Sequence, residues 1–144
     1  MNALAGSTII PCLRYRDAPA AIRFLCEAFG FSEHAVYRDE QNPDIVVHAQ
    51  LTFGDGMVML GSVIGDTPFA EHIVQPDQIG GRETQCPCVT VTDLRAHYEN
   101  AKAHGATIID DYEEKDYGGA GYSARDMEGR LWYFGSYDPW APPG

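Results

Sequence analysis

The feature that most constrains the fold of this chain is an internal repeat. Residues 11–17 read Pro-Cys-Leu-Arg-Tyr-Arg-Asp and residues 87–93 read Pro-Cys-Val-Thr-Val-Thr-Asp, so Pro, Cys and Asp recur in register 76 positions apart. The agreement continues at the other end of each half, where residues 56–62 resemble residues 129–136. Self-similarity at a fixed offset indicates a duplicated structural unit.

A helix is predicted directly after each repeated Asp. Apolar residues follow at three- and four-residue spacing, which is the pattern of one buried helix face. Asp17 and Asp93 suit N-caps, and Gly30 and Gly105 stand where a left-handed C-terminal cap is expected. The apolar positions are Ala18, Ala21, Ile22, Leu25, Ala28 and Phe29 in the first helix, and Leu94, Tyr98 and Ala101 in the second.

Strand-like segments surround both helices and indicate an α+β fold. Each half reads as a strand, a helix and about three further strands, with turns predicted at residues 54–56 and 127–129. We therefore predict a single domain over residues 1–144. It would consist of module one at about residues 7–62, a linker at about 63–84, and module two at about 85–137.

Composition limits the partners of such a domain. The 144 residues include 21 acidic and 10 basic side chains, and this charge of −11 argues against binding to nucleic acid. No segment approaches the ~18 apolar residues of a membrane-spanning helix, and the N-terminus lacks a signal-peptide pattern. The four cysteines fit no disulfide framework. We therefore expect a cytoplasmic protein that binds neither nucleic acid nor membranes.

Four segments spread along the chain resemble one protein family. They are Leu13–Phe24, Phe29–Phe31, Phe53–Leu60 and Arg125–Trp132, the last containing the Asp126-Met127-Glu128-Gly129 sequence. The chain is similar to the vicinal oxygen chelate superfamily, which comprises glyoxalases, bleomycin resistance proteins and dioxygenases. The resemblance implies two βαβββ modules, that is, a glyoxalase-like fold whose curved sheet surrounds a cleft. It also implies that a homodimer completes this cleft.

The same resemblance implies four metal-ligand positions, which hold His or Glu in the family's enzymes. They correspond here to Ile10, Met59, Cys86 and Tyr133, and the repeat itself pairs Ile10 with Cys86 and Met59 with Tyr133. A register error of one residue would bring no His, Asp or Glu into any of these positions. Ile and Met offer no donor for a hard metal. We therefore expect no metal and no cofactor, and metal-dependent glyoxalase or dioxygenase activity is disfavoured.

Strand alternation predicts which residues line the cleft. In residues 46–53 the even positions, which include His48 and Gln50, contain every polar residue, and the odd positions are apolar. The odd positions are expected to pack on the helix. By the same parity Arg14 and Tyr133 share a face with the metal-ligand positions. A mostly apolar surface with a few polar groups is typical of a small-molecule pocket. The alternative is that His48 and Gln50 are ordinary solvated residues.

Two tyrosines are further candidates for this pocket. Tyr117 and Tyr122 flank a glycine-rich stretch that follows the acidic run 110–116, and in the family loops at this point border the cleft. They could cover a flat or cationic ligand, or the stretch could be a plain connection. His97 is expected to be solvated, and Cys86 and Cys88 are expected to be small buried hydrophobes. The predicted ligand-binding residues are Arg14, His48, Gln50, Met59, Cys86, Tyr117, Tyr122 and Tyr133; no catalytic residue is assigned.

Three classes of function remain open at this stage. The leading hypothesis is metal-free binding of a small organic molecule, with drug or toxin resistance by sequestration as its role. The second is a superfamily enzyme (a lyase, isomerase or dioxygenase, for example similar to lactoylglutathione lyase) with an atypical metal site. The third is a dimeric interaction module, in which Trp140 of the proline-rich C-terminal segment covers a partner subunit.

Overall fold

The computed structural model describes residues 6–142, and these form two modules of the same design. Module one contains β1 (Cys12–Tyr15), α1 (Ala18–Phe29), β2 (Ser32–Arg38), β3 (Val46–Phe53) and β4 (Gly56–Ser62). The linker holds the short helix α2 (Pro68–Glu71) and a 3-10 turn (Pro76–Ile79). Module two contains β5 (Cys88–Thr90), α3 (Leu94–Ala103), β6 (Thr107–Glu114), β7 (Ala120–Arg125) and β8 (Leu131–Gly135).

The two sheets repeat each other strand for strand. Their strand orders are β1-β4-β3-β2 and β5-β8-β7-β6. Cys12 lies opposite Met59 in the first sheet, and Cys88 lies opposite Tyr133 in the second, in parallel pairs of the same register. The predicted α+β architecture of two βαβββ modules is therefore confirmed. Each sheet has four strands and stays open rather than closing on itself.

The repeated Asp begins each helix as predicted. The Asp17 carboxylate accepts a hydrogen bond from the Ala20 N–H at 3.1 Å, and the Asp93 carboxylate accepts one from the Ala96 N–H at 3.3 Å. These bonds satisfy amide groups that have no partner inside the helix. Gly30 ends α1 with φ of 82°, a left-handed conformation that a side chain would strain.

A shared core lies between the two modules. α1 packs against α3, and the Phe29 ring lies 5.6 Å from the Trp132 ring and 4.7 Å from the Phe134 ring, centroid to centroid. Asn100 on α3 donates to the Glu27 carbonyl on α1 at 2.8 Å. Both sheets therefore turn their helix-covered sides toward one common core.

The segment after β7 connects the modules through a buried carboxylate. Asp126, 5% exposed, accepts hydrogen bonds from the Tyr15 hydroxyl at 2.6 Å and the Trp132 Nε1–H at 3.0 Å. Glu128 accepts from the backbone N–H groups of Arg16 and Asp17, directly before α1. A buried carboxylate that receives several donors is well compensated for its lost solvation. The Asp126–Glu128 sequence thus acts as an inter-module clamp.

The linker is also fixed at this boundary. The Gln75 side chain and the Arg130 guanidinium both donate to the Arg14 carbonyl, at 2.8 Å and 3.0–3.1 Å. Arg130, 7% exposed, pairs with Glu83 at 3.2 Å. Among residues 6–142, no helix is long and apolar enough to cross a membrane.

The predicted alternation of β3 fails at its first two residues. Val46 is fully buried and Val47 is 57% exposed, whereas even parity placed Val46 in the cleft and Val47 against the helix. The pairing between β2 and β3 explains the reversal, because Tyr37 lies opposite His48 and Arg38 opposite Val46, which leaves Val47 as an extra residue. A β-bulge of this kind shifts the side-chain pattern by one position.

Candidate functional site

Each sheet leaves one side uncovered, and the metal-ligand positions lie on that side. On β4, Val58 and Leu60 are buried against the core, while Met59 between them is only half-buried. On β8, Trp132 and Phe134 are fully buried, while Tyr133 is half-buried. We call these surfaces open face one, around Met59, and open face two, around Tyr133.

The two open faces point away from each other within one chain. The helices and the large aromatic side chains fill the space between the sheets, so each open face is turned outward from the shared core. Met59 and Tyr133 consequently line different surfaces. A single copy of residues 6–142 therefore presents two half-sites.

Open face one carries a small polar group beside its sulfur atoms. The Gln50 amide lies 3.1 Å from His48 Nε2, and the Tyr37 ring stacks on the His48 ring at 6.2 Å. Gln50 lies opposite Met59, which lies opposite Cys12. Arg14 is on the same strand as Cys12, but its guanidinium donates to the Ile64 carbonyl of the linker at 2.8 Å. The face therefore offers one amide and one imidazole beside a thioether and a thiol.

Open face two is dominated by Tyr133, which lies flat on the sheet. A Cβ atom at Gly121 would overlap the Tyr133 hydroxyl and ring, so only glycine leaves room for this orientation. The Tyr133 hydroxyl lies 3.3 Å from the Tyr117 hydroxyl. This contact, with partial burial, raises the pKa of Tyr133 to about 12. The Tyr133 phenol is therefore a neutral hydrogen-bonding group at physiological pH and is not prepared to act as a base.

Cys86 and Cys88 are exposed, which contradicts the expectation that they are buried. Cys12 is also exposed, and Cys26 is half-buried. Partial desolvation raises the pKa of the Cys86 and Cys88 thiols. Because the thiolate is the reactive form, this environment does not activate them as nucleophiles.

Tyr122 lies in the core, and His97 is half-buried against it. Tyr122 is fully buried, so it does not cover either open face, and its hydroxyl lies 2.6 Å from His97 Nδ1. His97 Nε2 lies 2.8 Å from the Phe29 carbonyl. A carbonyl only accepts, so Nε2 carries the proton and Nδ1 accepts from Tyr122. Burial lowers the pKa of His97. The expectation of a solvated His97 is wrong.

A signal for the buried His97 was present in the sequence. Leu94, His97, Tyr98 and Ala101 are spaced as one helix face, and three of these four positions are apolar or aromatic. The residue belongs to that face by periodicity, whatever its polarity. The partner Tyr122 had no comparable signal, because it is 25 residues away on another element.

The donor set does not fit the divalent metal that the family implies. Ile10, Met59, Cys86 and Tyr133 together provide no imidazole and no carboxylate. Within the described residues, no group of three or more His, Cys, Asp and Glu side chains is arranged to hold a metal ion. No reaction step through such a metal can be derived for this chain.

Two outward-facing half-sites on paired βαβββ modules define a glyoxalase-type protein without the usual ligand set. The chain belongs to the glyoxalase/bleomycin resistance protein/dioxygenase superfamily, whose sequence profile matches residues 8–134. A comparison with curated proteins gives no match.

Solved structures agree with this assignment. TioX from Micromonospora sp. ML1 is 30% identical, and the alignment covers 90% of this chain and 98% of TioX with a TM-score of 0.69. UcmS2 is 16% identical over 95% of this chain and 100% of its own, also with a TM-score of 0.69. The fosfomycin resistance protein FosX from Listeria monocytogenes is 13% identical over 95% and 97% of the two chains, with a TM-score of 0.66. The last two similarities show the fold alone.

Proposed function

We propose that this protein binds a small organic molecule without a metal, and that its role is resistance to a drug or toxin by sequestration. The observation that carries the proposal is the replacement of metal donors by Met59 and Tyr133 on otherwise accessible sheet faces. Thioether, phenol, amide and imidazole groups on an open sheet suit contacts with an organic ligand. The resistance role is also supported by the superfamily itself, which includes bleomycin resistance proteins and whose profile matches residues 8–134.

The proposed site needs a second copy of the chain. Each open face is a shallow half-site, whereas ligand pockets bury most of the ligand surface. In the proposed homodimer, open face one of one copy would lie across from open face two of the other. The exposed Trp140, 93% accessible in the single chain, would then report association through its fluorescence. The four free cysteines suit a reducing compartment, and we place the dimer in the cytoplasm.

A titration tests this function directly. Purified protein is titrated by calorimetry with a panel of cationic, neutral and anionic antibiotics, once in EDTA and once after incubation with Zn, Ni, Mn or Fe. We expect saturable binding of at least one compound, unchanged by EDTA. Replacing Gln50 or Tyr133 by Ala should weaken binding about tenfold or more, whereas His72→Ala, in the exposed linker, should leave it unchanged.

Three results would contradict the proposal. The absence of saturable binding across the whole panel would remove the ligand-binding function. Stoichiometric metal uptake with turnover of the methylglyoxal–glutathione adduct would establish the enzyme alternative instead. A protein that binds ligand as a monomer on size-exclusion chromatography would exclude the shared cleft.

A further inference from the structure

A cavity of about 520 Å³ lies beside open face two, at the end of β8. The β6–β7 loop forms one wall with Tyr117, Gly118 and Gly119, and the segment after β8 forms the other with residues 136–139, 141 and 142. This volume falls within the range of small-molecule pockets. The cavity adjoins the open face, because Tyr117 lines the cavity and its hydroxyl lies 3.3 Å from the Tyr133 hydroxyl.

The loop is held closely against the C-terminal segment. A Cβ at Gly119 would lie 2.8 Å from both Ser136 Oγ and the Tyr137 nitrogen, a separation that real side chains do not show. The Ser136 hydroxyl accepts from the Ala120 N–H at 2.9 Å, and the Ser136 N–H donates to the Ala120 carbonyl at 2.9 Å. The glycine therefore permits the approach that positions the two walls.

Aromatic rings form the cavity's principal surfaces. The Tyr117 and Tyr137 rings are 5.2 Å apart and nearly perpendicular, at 88°. They are 60% and 46% exposed, respectively, so both have surface to offer to a ligand. Perpendicular rings present one π-face and one ring edge to the same space, an arrangement suited to a flat ring system.

The charge of the lining is negative. Asp138 contributes a carboxylate whose Oδ1 accepts from the Trp140 N–H at 2.9 Å. Within residues 6–142, the lining includes no Lys or Arg. The nearest base along the loop, Lys115, is paired with Glu113 at 3.2 Å. A cation in the cavity would meet one π-face and a carboxylate, both of which attract it.

We propose that the Tyr117–Tyr137–Asp138 cavity binds a planar aromatic cation, and that it selects this ligand class for open face two. The inference rests on the proposed function but concerns different residues from those that test it. One ring would stack on the flat part of the ligand, the other would meet it edge-on, and Asp138 would pair with its positive charge. Neutral analogues of the same shape would keep the stacking and lose the ion pair.

A matched pair of dyes tests the selection. Proflavine is a planar cation at pH 7.5, and acridine is a neutral molecule with the same ring system. We expect proflavine to bind about tenfold more tightly than acridine, measured by fluorescence titration. Asp138→Asn should remove most of this preference, and Tyr137→Leu should weaken both ligands about threefold or more. Asparagine keeps an oxygen for the Trp140 N–H, so the local turn is retained.

Two exposed positions provide controls with the same chemical changes. Phe69→Leu removes an aromatic ring from α2, and Asp55→Asn removes a carboxylate from the β3–β4 turn; neither should alter binding. Melting temperatures of all variants check that the fold is intact. Equal affinity for the two dyes, no proflavine binding, or wild-type binding by Asp138→Asn and Tyr137→Leu would each overturn the inference. If antibiotics still bind and respond to Gln50→Ala, the proposed function stands without it.

Discussion

The two modules share one fold but contribute different residues to the boundary between them. Their caps, strand orders and register coincide, yet module two supplies the residues that join the halves, and module one receives them. The difference is clearest at equivalent positions. Phe53 ends β3 in module one, and register places Asp126 at the same point of module two. Both modules keep the same backbone fold because both sheets pack on one common core. The residues that join the modules differ between them.

The largest effect on stability is expected when Asp126, the buried residue of the inter-module clamp, is replaced. Asp126→Ala leaves the buried Tyr15 hydroxyl and the Trp132 Nε1–H without their acceptor, and we expect a loss of about 3–5 kcal/mol in the free energy of unfolding. Urea denaturation followed by fluorescence measures it. Asp55→Ala, in the equivalent turn of module one, should change stability by less than about 0.5 kcal/mol. Equal effects of the two variants would contradict the asymmetry.

An intermediate effect is expected on the pH dependence of stability, and it comes from His97 on α3. The equivalent position of α1 holds Ala21, which has no titratable group. The pKa of His97 is lowered by burial, so the folded protein keeps a neutral imidazole, whereas the unfolded chain takes up a proton near pH 6.5. Its stabilising contribution is complete above that pH and declines as the pH falls through 6.5 and below. We expect the melting temperature to drop on going from pH 7 to pH 5.

The residues around His97 allow the decline in stability to be assigned to its imidazole. Phe29, Phe53, Tyr122 and Phe134 surround the ring, and of these only Tyr122 is titratable. His97→Gln should remove most of the decline between pH 6.5 and 5 and cost about 1–2 kcal/mol at pH 7. His104→Gln, on the exposed end of the same helix, should keep the wild-type profile. A His97→Gln profile that still matches wild type would show that other groups cause the decline.

The smallest expected effect is a change in the pKa of Tyr133, which distinguishes open face two from open face one. Gly121 corresponds by register to His48, and Tyr133 corresponds to Met59, so a glycine in module two makes room for a ring. Gly121→Ala should move Tyr133 away from Tyr117 and lower its phenol pKa from about 12, with a stability change within about 1 kcal/mol. Absorbance titration of phenolate detects the shift.

Two further variants assign this titration. Tyr133→Phe should delete the affected transition, and Tyr117→Phe should lower the Tyr133 pKa without a Cβ clash, because it removes the hydroxyl that Tyr133 contacts. His48→Ala, at the equivalent position of module one, should leave the phenol titration unchanged. A Gly121→Ala protein with an unaltered titration would show that Tyr133 does not depend on the glycine.

Much of this molecule follows from its sequence alone. The repeat predicted two βαβββ modules, the Asp caps marked both helix starts, and parity identified Ala49 and Leu51 as core residues. These features depend on local spacing, because one turn of helix or one pleat of strand fixes the side on which a residue lies. The family and the absence of metal donors at Ile10, Met59, Cys86 and Tyr133 are properties of residue identity.

Other features were decided only by tertiary structure. The bulge at Val47, the burial of Tyr122 against His97 and the direction of the two open faces all depend on contacts between residues far apart in the chain. Local periodicity says which side of an element is apolar, but it does not say which distant element covers that side. The packing of α1 on α3 decided this here, because it covers the inner sides of both sheets and leaves their open faces on different surfaces.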